Sequence, residues 1–404
     1  MIARHHRPAI AFILVTAMLD VMAMGLVIPV LPALIEEFTG SNAAAGVWNG
    51  ALVALWAAMQ FLCSPIIGSL SDRYGRRSVI LISTAGLAAD WVLMALAPNL
   101  WWLAVGRMLG GITSSSFTAV YAYMADITPP EGRARAYGLV GAAFGLGFVA
   151  GPALGGVLGE FDPRLPFWVA AGMSALAFFY GLLVLPESLP KERRMAFSWR
   201  RANPLGSLRL LRSHPELAGL ASVNFLLYFA HHVFSAVYVL YAGHRYGIGS
   251  FEVGLMLAAA GLLDMAVQGA LVGPVTKRLG DRKTMLFGLV GGSFGLLAMG
   301  VAPTPELFAL ALLPNALWGL AMPTLQAMMT RRVSDSEQGQ LQGANNSVAS
   351  IAGVGSPLFF GWVYGLSIAT LPGLSFVIAA AILLAAAAMG VIVGRRATAD
   401  ALPR

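Results

Sequence analysis

Gly68-Ser69-Leu70-Ser71-Asp72-Arg73-Tyr74-Gly75-Arg76-Arg77 is a charged decapeptide set between two long apolar runs. A degenerate copy, Gly273-Pro274-Val275-Thr276-Lys277-Arg278-Leu279-Gly280-Asp281-Arg282, holds the same kind of position later in the chain. Gly273 follows Gly68 by 205 residues, and Gly280 follows Gly75 by the same 205. That shift also carries Gly138 onto Gly343 and Pro152 onto Pro357. One offset of half a chain, shared by four landmarks, predicts a molecule of two similar halves.

The runs around these landmarks are those of a membrane protein. Of the 404 residues, 58% are hydrophobic and 11% charged, with mean hydropathy +0.74; a soluble domain carries about 25% charged residues. Apolar stretches of about 20 residues, enough to cross a bilayer as helix, recur almost end to end. They lie at 8–34, 45–67, 78–98, 101–125, 136–159 and 166–186, then at 216–241, 252–273, 284–302, 306–330, 340–364 and 370–394. The alternating strands of about 10 residues that a β-barrel needs are not seen. The expected fold is all-α and integral to the membrane, with twelve transmembrane helices in two pseudo-symmetric six-helix bundles. The first bundle covers 1–186 and the second 216–404. Between them, 187–215 is the longest polar stretch and reads as a cytoplasmic linker, with Lys191, Arg193, Arg194, Arg200, Arg201, Asn203 and Pro204.

Basic residues set the orientation. With the amino terminus inside, only Arg164 and Arg245 of the 26 Lys and Arg fall outside, and Arg107 falls within a span, leaving 23 on the cytoplasmic side. Arg4, Arg7, Arg133 and Arg135 belong to that inside set. Both termini are therefore expected in the cytoplasm, and the net charge of +7 calls for lipid contact and no nucleic-acid partner. Cys63 is the one cysteine, so no intrachain disulfide forms. The first apolar run is too long for a signal peptide and contains Asp20, so it reads as a retained helix.

Several residue groups carry chemistry. In the decapeptide, Gly68 has no side chain where a helix end approaches a neighbour, and Gly75 suits a positive φ. Asp72 is suited to a helix amino terminus and Arg76 to a carboxylate such as Asp126; both contacts break readily in a domain movement, as a conformational latch requires. Arg73 and Arg77 complete the charged set, and plain cytoplasmic anchoring is the alternative. Gly147, Gly151, Gly155 and Gly159 are four apart and line one helix face, a groove for close packing, with Pro152 able to bend the helix. Asp20, Asp90, Asp264 and Arg107 stand inside apolar spans, where a centred charge costs roughly 2.5–3.5 kcal/mol. The alternatives are that Asp20 bridges helices, Asp90 reaches the interface and Arg107 snorkels outward.

Gly68 to Arg77 resembles the loop motif of the major facilitator superfamily. The helix 5 run Gly147 to Gly159 resembles the antiporter motif of its drug/proton branch, and Leu19 to Pro32 looks like that branch's helix 1 motif. Gly106-Arg107, Tyr123 to Thr128, Met322 to Ala327 and Gln338 to Gly343 look most like the tetracycline/proton antiporters. The resemblance implies twelve helices and proton-coupled efflux. It assigns proton coupling to Asp20, Asp90 and Arg107, and it implies that helix 5 packs against a helix of the other half, sealing the leak path.

Two departures stand out. The tetracycline exporters usually carry a histidine in helix 8 at the position of Asp264, and an acid in helix 9 where this chain has Gly292. Helix 7 supplies His231 and His232, which can titrate near neutral pH. The expectation is that Asp264, with His232, replaces the missing pair. The alternative is that one histidine faces the cavity and the other packs between helices. Gln60, Tyr121, Tyr228, Trp318, Gln326, Asn345 and Asn346 are the candidate cavity lining. No Walker-type phosphate loop, helical His-Glu-x-x-His or cysteine cluster is present, so neither ATP, a metal nor another cofactor is expected, the proton gradient being the energy source.

The chain thus reads as a transporter and not an enzyme: a monomeric exporter of amphipathic small molecules, tetracycline-like compounds first, in a bacterial inner membrane. An exporter of an endogenous metabolite, or a proton-coupled importer of the same fold, is the alternative reading.

Overall fold

The computed structural model describes residues 7–114, 117–129, 132–197, 199, 203, 206–208, 210–211, 215–334 and 337–399. Arg4, Arg200, Arg201 and Pro204 of the basic-residue and linker readings lie outside them. The described elements are all helical. Among the described residues, eleven runs are long and apolar enough to span a bilayer. They are α1 (Ile10–Thr39), α2 (Asn42–Tyr74), α3 (Arg76–Ala95), α5 (Ala136–Phe161), α6 (Leu165–Val184), α7 (Leu217–Tyr246), α8 (Ser250–Leu279), α9 (Asp281–Val301), α10 (Pro305–Thr330), α11 (Gln340–Ser367) and α12 (Leu374–Val393). The remaining expected span, α4, corresponds to helix at Leu100–Ser114 and Phe117–Ile127.

The charged decapeptide is not an extended loop. Helix α2 continues through Asp72 to Tyr74, and α3 starts at Arg76. Gly75 alone makes the break, with φ +100 and ψ 151, a region open essentially to glycine. Its repeat partner Gly280 separates α8 from α9 with φ +76 and ψ 160. The 205-residue offset therefore holds at the level of a single backbone conformation.

Contacts gather the chain into two compact units. Unit 1 comprises Met1–Gly40, Leu55–Pro204 and Gly249–Ala258; unit 2 comprises Ser41–Ala54, Leu205–Ile248 and Ala259–Arg404. The grouping differs from the two expected bundles by an exchange of two short helical stretches, 41–54 and 249–258. Glycine contact accounts for both. In unit 2 the bare Cα of Gly50 lies against Pro357 and Gly361, and Gly46 lies against Tyr364. Tyr364 donates to Asn42 Oδ1 at 2.7 Å, and Asn49 Nδ2 donates to the carbonyls of Ser235 at 3.0 Å and Ala236 at 2.7 Å. In unit 1 Gly254 lies against Pro152 and Gly156, and the backbone N–H of Phe251 donates to Glu160 Oε1 at 3.1 Å. Pro357 and Gly361 are each 205 residues beyond Pro152 and Gly156, so one crossing motif is used twice.

The span Ile10–Thr39 is interrupted by a turn at residues 28–30, whereas the π and 3₁₀ segments within the described spans all fall in the second half of the sequence. Phe234–Tyr238 in α7 and Val267–Leu271 in α8 are π-helical, and Leu317–Leu320 in α10 is a 3₁₀ turn. Such segments free carbonyls and re-aim side chains, and they recur at functional sites. Asn49 answers two of the freed carbonyls in α7.

Candidate functional site

At the α2–α3 junction of unit 1, Arg76 is the hub. Its guanidinium meets Asp72 Oδ1 at 2.6 Å, Asp126 Oδ2 at 3.3 Å and Ser71 Oγ at 2.5 Å. Its backbone N–H donates to Glu187 Oε1 at 2.9 Å, and Ser188 Oγ donates to Asp126 Oδ2 at 3.1 Å. Arg194 reaches Glu187 Oε2 at 3.7 Å, and the backbone N–H of Met195 donates to the Asp72 carbonyl at 3.1 Å. A Cβ at Gly75 would fall on the Glu187 carboxylate. Arg77 caps the Leu182 carbonyl at 2.8 Å, whereas Arg73 is exposed beside the Tyr74 ring and Gly68 lies within α2. Asp72 thus pairs with Arg76 one turn on, not with a helix amino terminus. Glu187, absent from the sequence reading, completes the cluster from the first residues of the linker.

Unit 2 repeats this geometry with the charges inverted. Asp72, Arg76 and Asp126, advanced by 205, become Lys277, Asp281 and Arg331. Asp281 accepts from Arg331 at 2.7 Å, as Asp126 accepts from Arg76. Arg77 becomes Arg282, which caps the Val391 carbonyl at 2.6 Å as Arg77 caps that of Leu182.

The glycine stripe of α5 packs on α1. The bare Cα atoms of Gly147, Gly151 and Gly155 face the backbone of Met18, Met22, Gly25 and Leu26. The expected partner was a helix of the other half of the sequence. That contact belongs instead to the adjacent face, through Pro152 and Gly156 against Gly254, while Gly159 meets both Val30 and Ser250. Two glycine faces serve two neighbours, which a single stripe read at four-residue spacing does not reveal.

Three of the intramembrane charges lie in unit 1. Asp20 is 5% exposed and its Oδ1 has no hydrogen-bond partner among the described residues. Asp90 is fully buried against Gly106 and Gly110, whose missing side chains make room for its carboxylate; neither of its oxygens has a hydrogen-bond partner among the described residues. Arg107 reaches Met94 Sδ at 2.8 Å and stacks 5.6 Å from the Trp91 ring centroid. Among the described residues no ion pair joins Arg107 to Asp90.

The fourth, Asp264, lies in unit 2, one turn before the π segment of α8. Gln268 Nε2 donates to its Oδ2 at 2.6 Å, and its Oδ1 lies against the bare Cα of Gly319. The preceding residue, Trp318, rests its Cβ and Cγ on the bare Cα of Gly292 and meets His231 edge-on, ring centroids 5.4 Å apart at 80°. Both departures from the exporter pattern thus converge on the 3₁₀ turn of α10. His232 turns elsewhere, its Nδ1 3.5 Å from Ser235 Oγ, and no hydrogen bond or ion pair joins it to Asp264 among the described residues. His231, not His232, is the histidine that packs on Trp318 of the α10 turn.

The lining candidates are dispersed. In unit 1, Gln60 Nε2 donates to Ser114 Oγ at 3.5 Å, and Tyr121 packs edge-on with Tyr137 and Phe144. In unit 2, Gln326 donates to Gln342 at 2.8 Å, Tyr228 is half-buried and Asn346 is exposed. Asn345 and Trp318 are each 6% exposed, and neither the Asn345 amide nor Trp318 Nε1 has a hydrogen-bond partner among the described residues. A separate apolar groove of about 870 Å³ on unit 1, between Ala88, Val92, Trp102 and Trp168, holds none of the predicted side chains.

Comparison with known proteins bears on this arrangement. The sequence model of the Major Facilitator Superfamily matches residues 13–271 and 220–403. The chain belongs to the major facilitator superfamily. Its relatives include bacterial proteins named for tetracycline resistance. It is 38% identical over 376 residues to tetracycline resistance protein class C of Escherichia coli, covering 93% of this chain and 94% of the relative. It is 38% identical over 346 residues to the class G protein of Vibrio anguillarum, covering 86% and 88%. A bacterial homologue of the human lysosomal transporter Spinster, 17% identical, shares the fold with TM-score 0.79 over 97% of this chain and 98% of that one. The superfamily protein is accordingly a multi-pass membrane transporter of small molecules.

Proposed function

We propose that this facilitator-superfamily protein exports tetracycline-like amphipathic compounds in exchange for protons, by alternating access. The observation that carries this reading is the 38% identity, over nearly the full length of both chains, to a protein named for tetracycline resistance. Asp20 supports the coupling. A buried carboxyl whose Oδ1 has no hydrogen-bond partner among the described residues binds and releases a proton without breaking structure. Asp264, held at Gly319 with Gln268, is the second carrier, and Arg107 and Asp90 bias the first. The Arg76 cluster and its charge-inverted copy latch the cytoplasmic ends, and the glycine crossings guide the helices as they move. Both termini are cytoplasmic by the distribution of basic residues, the protein works as a monomer, and the proton gradient is its energy source. The replacement of the exporters' helix 8 histidine and helix 9 acid by Asp264 and Gly292 favours a modified ligand, a related drug or a metabolite.

Cellular accumulation tests direction and coupling together. Cells producing the protein should hold less tetracycline than cells without it, and an uncoupler should erase the difference. A lower level that survives collapse of the proton gradient contradicts proton coupling, and a higher level identifies an importer.

A further inference from the structure

Three departures from α geometry, one carboxylate, one imidazole and one indole share a single region of unit 2. Helix α9 offers a run of glycines to α10. Gly288 lies against Leu317 and Ala321, Gly291 against Leu317, Gly292 against Trp318 and Gly295 against Asn315. The 3₁₀ turn Leu317–Leu320 settles on this bare face. Successive residues of a 3₁₀ helix point about a third of a turn apart. Trp318 is thereby directed at α9 and Gly319 at α8, where Asp264 Oδ1 lies against it. The π segment Val267–Leu271 follows Asp264 on α8, and Val267 packs with Ala316 and Leu320. On α7 the exposed ring of His231 meets Trp318 edge-on and Phe234 at 5.9 Å.

Gly292 is what allows the indole to lie where it does. A Cβ there would come 2.9 Å from Trp318 Cβ and 3.1 Å from its Cγ, with Leu383 Cδ1 at 3.3 Å behind. A methyl group at 292 therefore moves the tryptophan, because Leu383 leaves it nowhere else to go. The ring so fixed does two things. It backs His231, whose exposed face is the stacking surface, and it leaves its own Nε1–H buried with no hydrogen-bond partner among the described residues. The carboxylate acceptor is seated one peptide step away at Gly319, about 3.8 Å along the chain. A flat imidazole face with a carboxylate acceptor beside it suits a rigid polycyclic ligand better than a flexible chain.

We propose that Gly292 and Trp318 form one specificity-determining unit, which fixes His231 as a stacking wall beside Asp264 and selects planar polycyclic ligands bearing hydrogen-bonding groups. The proposal rests on the export reading above and deepens it.

The test compares transport of tetracycline with that of a flexible, non-planar amphipathic amine in inverted vesicles, normalised to the amount of protein in the membrane. Wild type, Gly292→Ala, Trp318→Leu, the double variant and Trp318→Phe are measured. Trp318→Leu should raise KM for tetracycline about tenfold while the amine changes less than about twofold, so the ratio of the two substrates shifts. Gly292→Ala should shift the same ratio in the same direction, and the double variant should be no worse than Trp318→Leu alone, since the two positions act through one ring. Trp318→Phe, which keeps a flat ring, should recover most of the tetracycline preference. A fall in both substrates by one common factor reveals a structural role and overturns the proposal, as do additive effects of the two substitutions. Misfolding lowers both substrates together and cannot imitate the shift in ratio. Wild-type vesicles that move neither compound overturn the export reading and this proposal with it; wild-type transport with an unchanged ratio in every variant overturns this proposal alone.

Discussion

Asp281 and Arg331 form an ion pair at 2.7 Å that is the charge-inverted image of Arg76 and Asp126, both partners displaced by 205 residues. The two halves have kept the position of the contact and exchanged its signs. The settings differ as well. The Arg76 side chain is 11% exposed and that of Arg331 is 72% exposed.

That difference predicts unequal costs. Asp126→Asn leaves a largely buried guanidinium with one carboxylate fewer, and should cost about 1–3 kcal/mol, as loss of a hydrogen-bonding partner from a buried group does. Arg331→Gln removes a solvated cation and should cost less than about 1 kcal/mol. Thermal unfolding of the purified protein in detergent gives both values. Equal shifts would mean that the two contacts are energetically alike despite their exposure.

Charge reversal asks whether the sign matters or only the pairing. Exchanging the partners, Asp281→Arg with Arg331→Asp, restores attraction, whereas Arg331→Asp alone sets two carboxylates together. The double exchange should recover most of the transport rate lost in the single variant. Recovery no better than the single variant shows that something other than attraction is required at these positions.

Gly75 and Gly280 share a backbone conformation but not an environment. Both lie where a side chain is strained by about 1–3 kcal/mol. A Cβ at Gly75 also strikes the Glu187 carboxylate, while one at Gly280 meets nothing within 4 Å. Gly75→Ala should therefore lower the unfolding temperature more than Gly280→Ala. The reverse order would remove Glu187 from the cluster.

Along α5 the sign of a glycine substitution should change with position. Gly138 faces open space, so Gly138→Ala should stabilise the helix by up to about 1 kcal/mol. A Cβ at Gly155 strikes the Leu26 backbone, which cannot rotate away, and Gly155→Ala should destabilise by about 1–3 kcal/mol. Unfolding midpoints of the two variants check both signs.

Much of this was legible in the residues alone. Apolar runs of membrane length gave the spans, and the shared offset gave the two halves, because both are properties of one-dimensional pattern. The Arg76–Asp126 pair was also readable, since a buried arginine at a helix end has few carboxylates within reach. Partner choice was not. The stripe at Gly147, Gly151 and Gly155 fixes that a helix packs closely there, but α1 is its neighbour only in three dimensions. His231 and His232 are adjacent and chemically identical, so only the rotation of α7 ahead of its π segment separates them. Gly292 read as an acid lost; the structure gives the position a positive use as the seat of Trp318. The π segments carry no proline and no periodicity break that announces them.

The central claim is exchange of a small molecule for protons through a buried carboxyl. Its most direct measurement uses inverted membrane vesicles holding a proton gradient read by a pH-sensitive dye, challenged with tetracycline. Wild-type protein should release protons on addition of the compound. Asp20→Asn should release none while reaching the membrane in normal amount and unfolding within about 1 kcal/mol of wild type, because Asp20 Oδ1 has no hydrogen-bond partner among the described residues to lose. Compound-driven proton release that persists in Asp20→Asn contradicts the account.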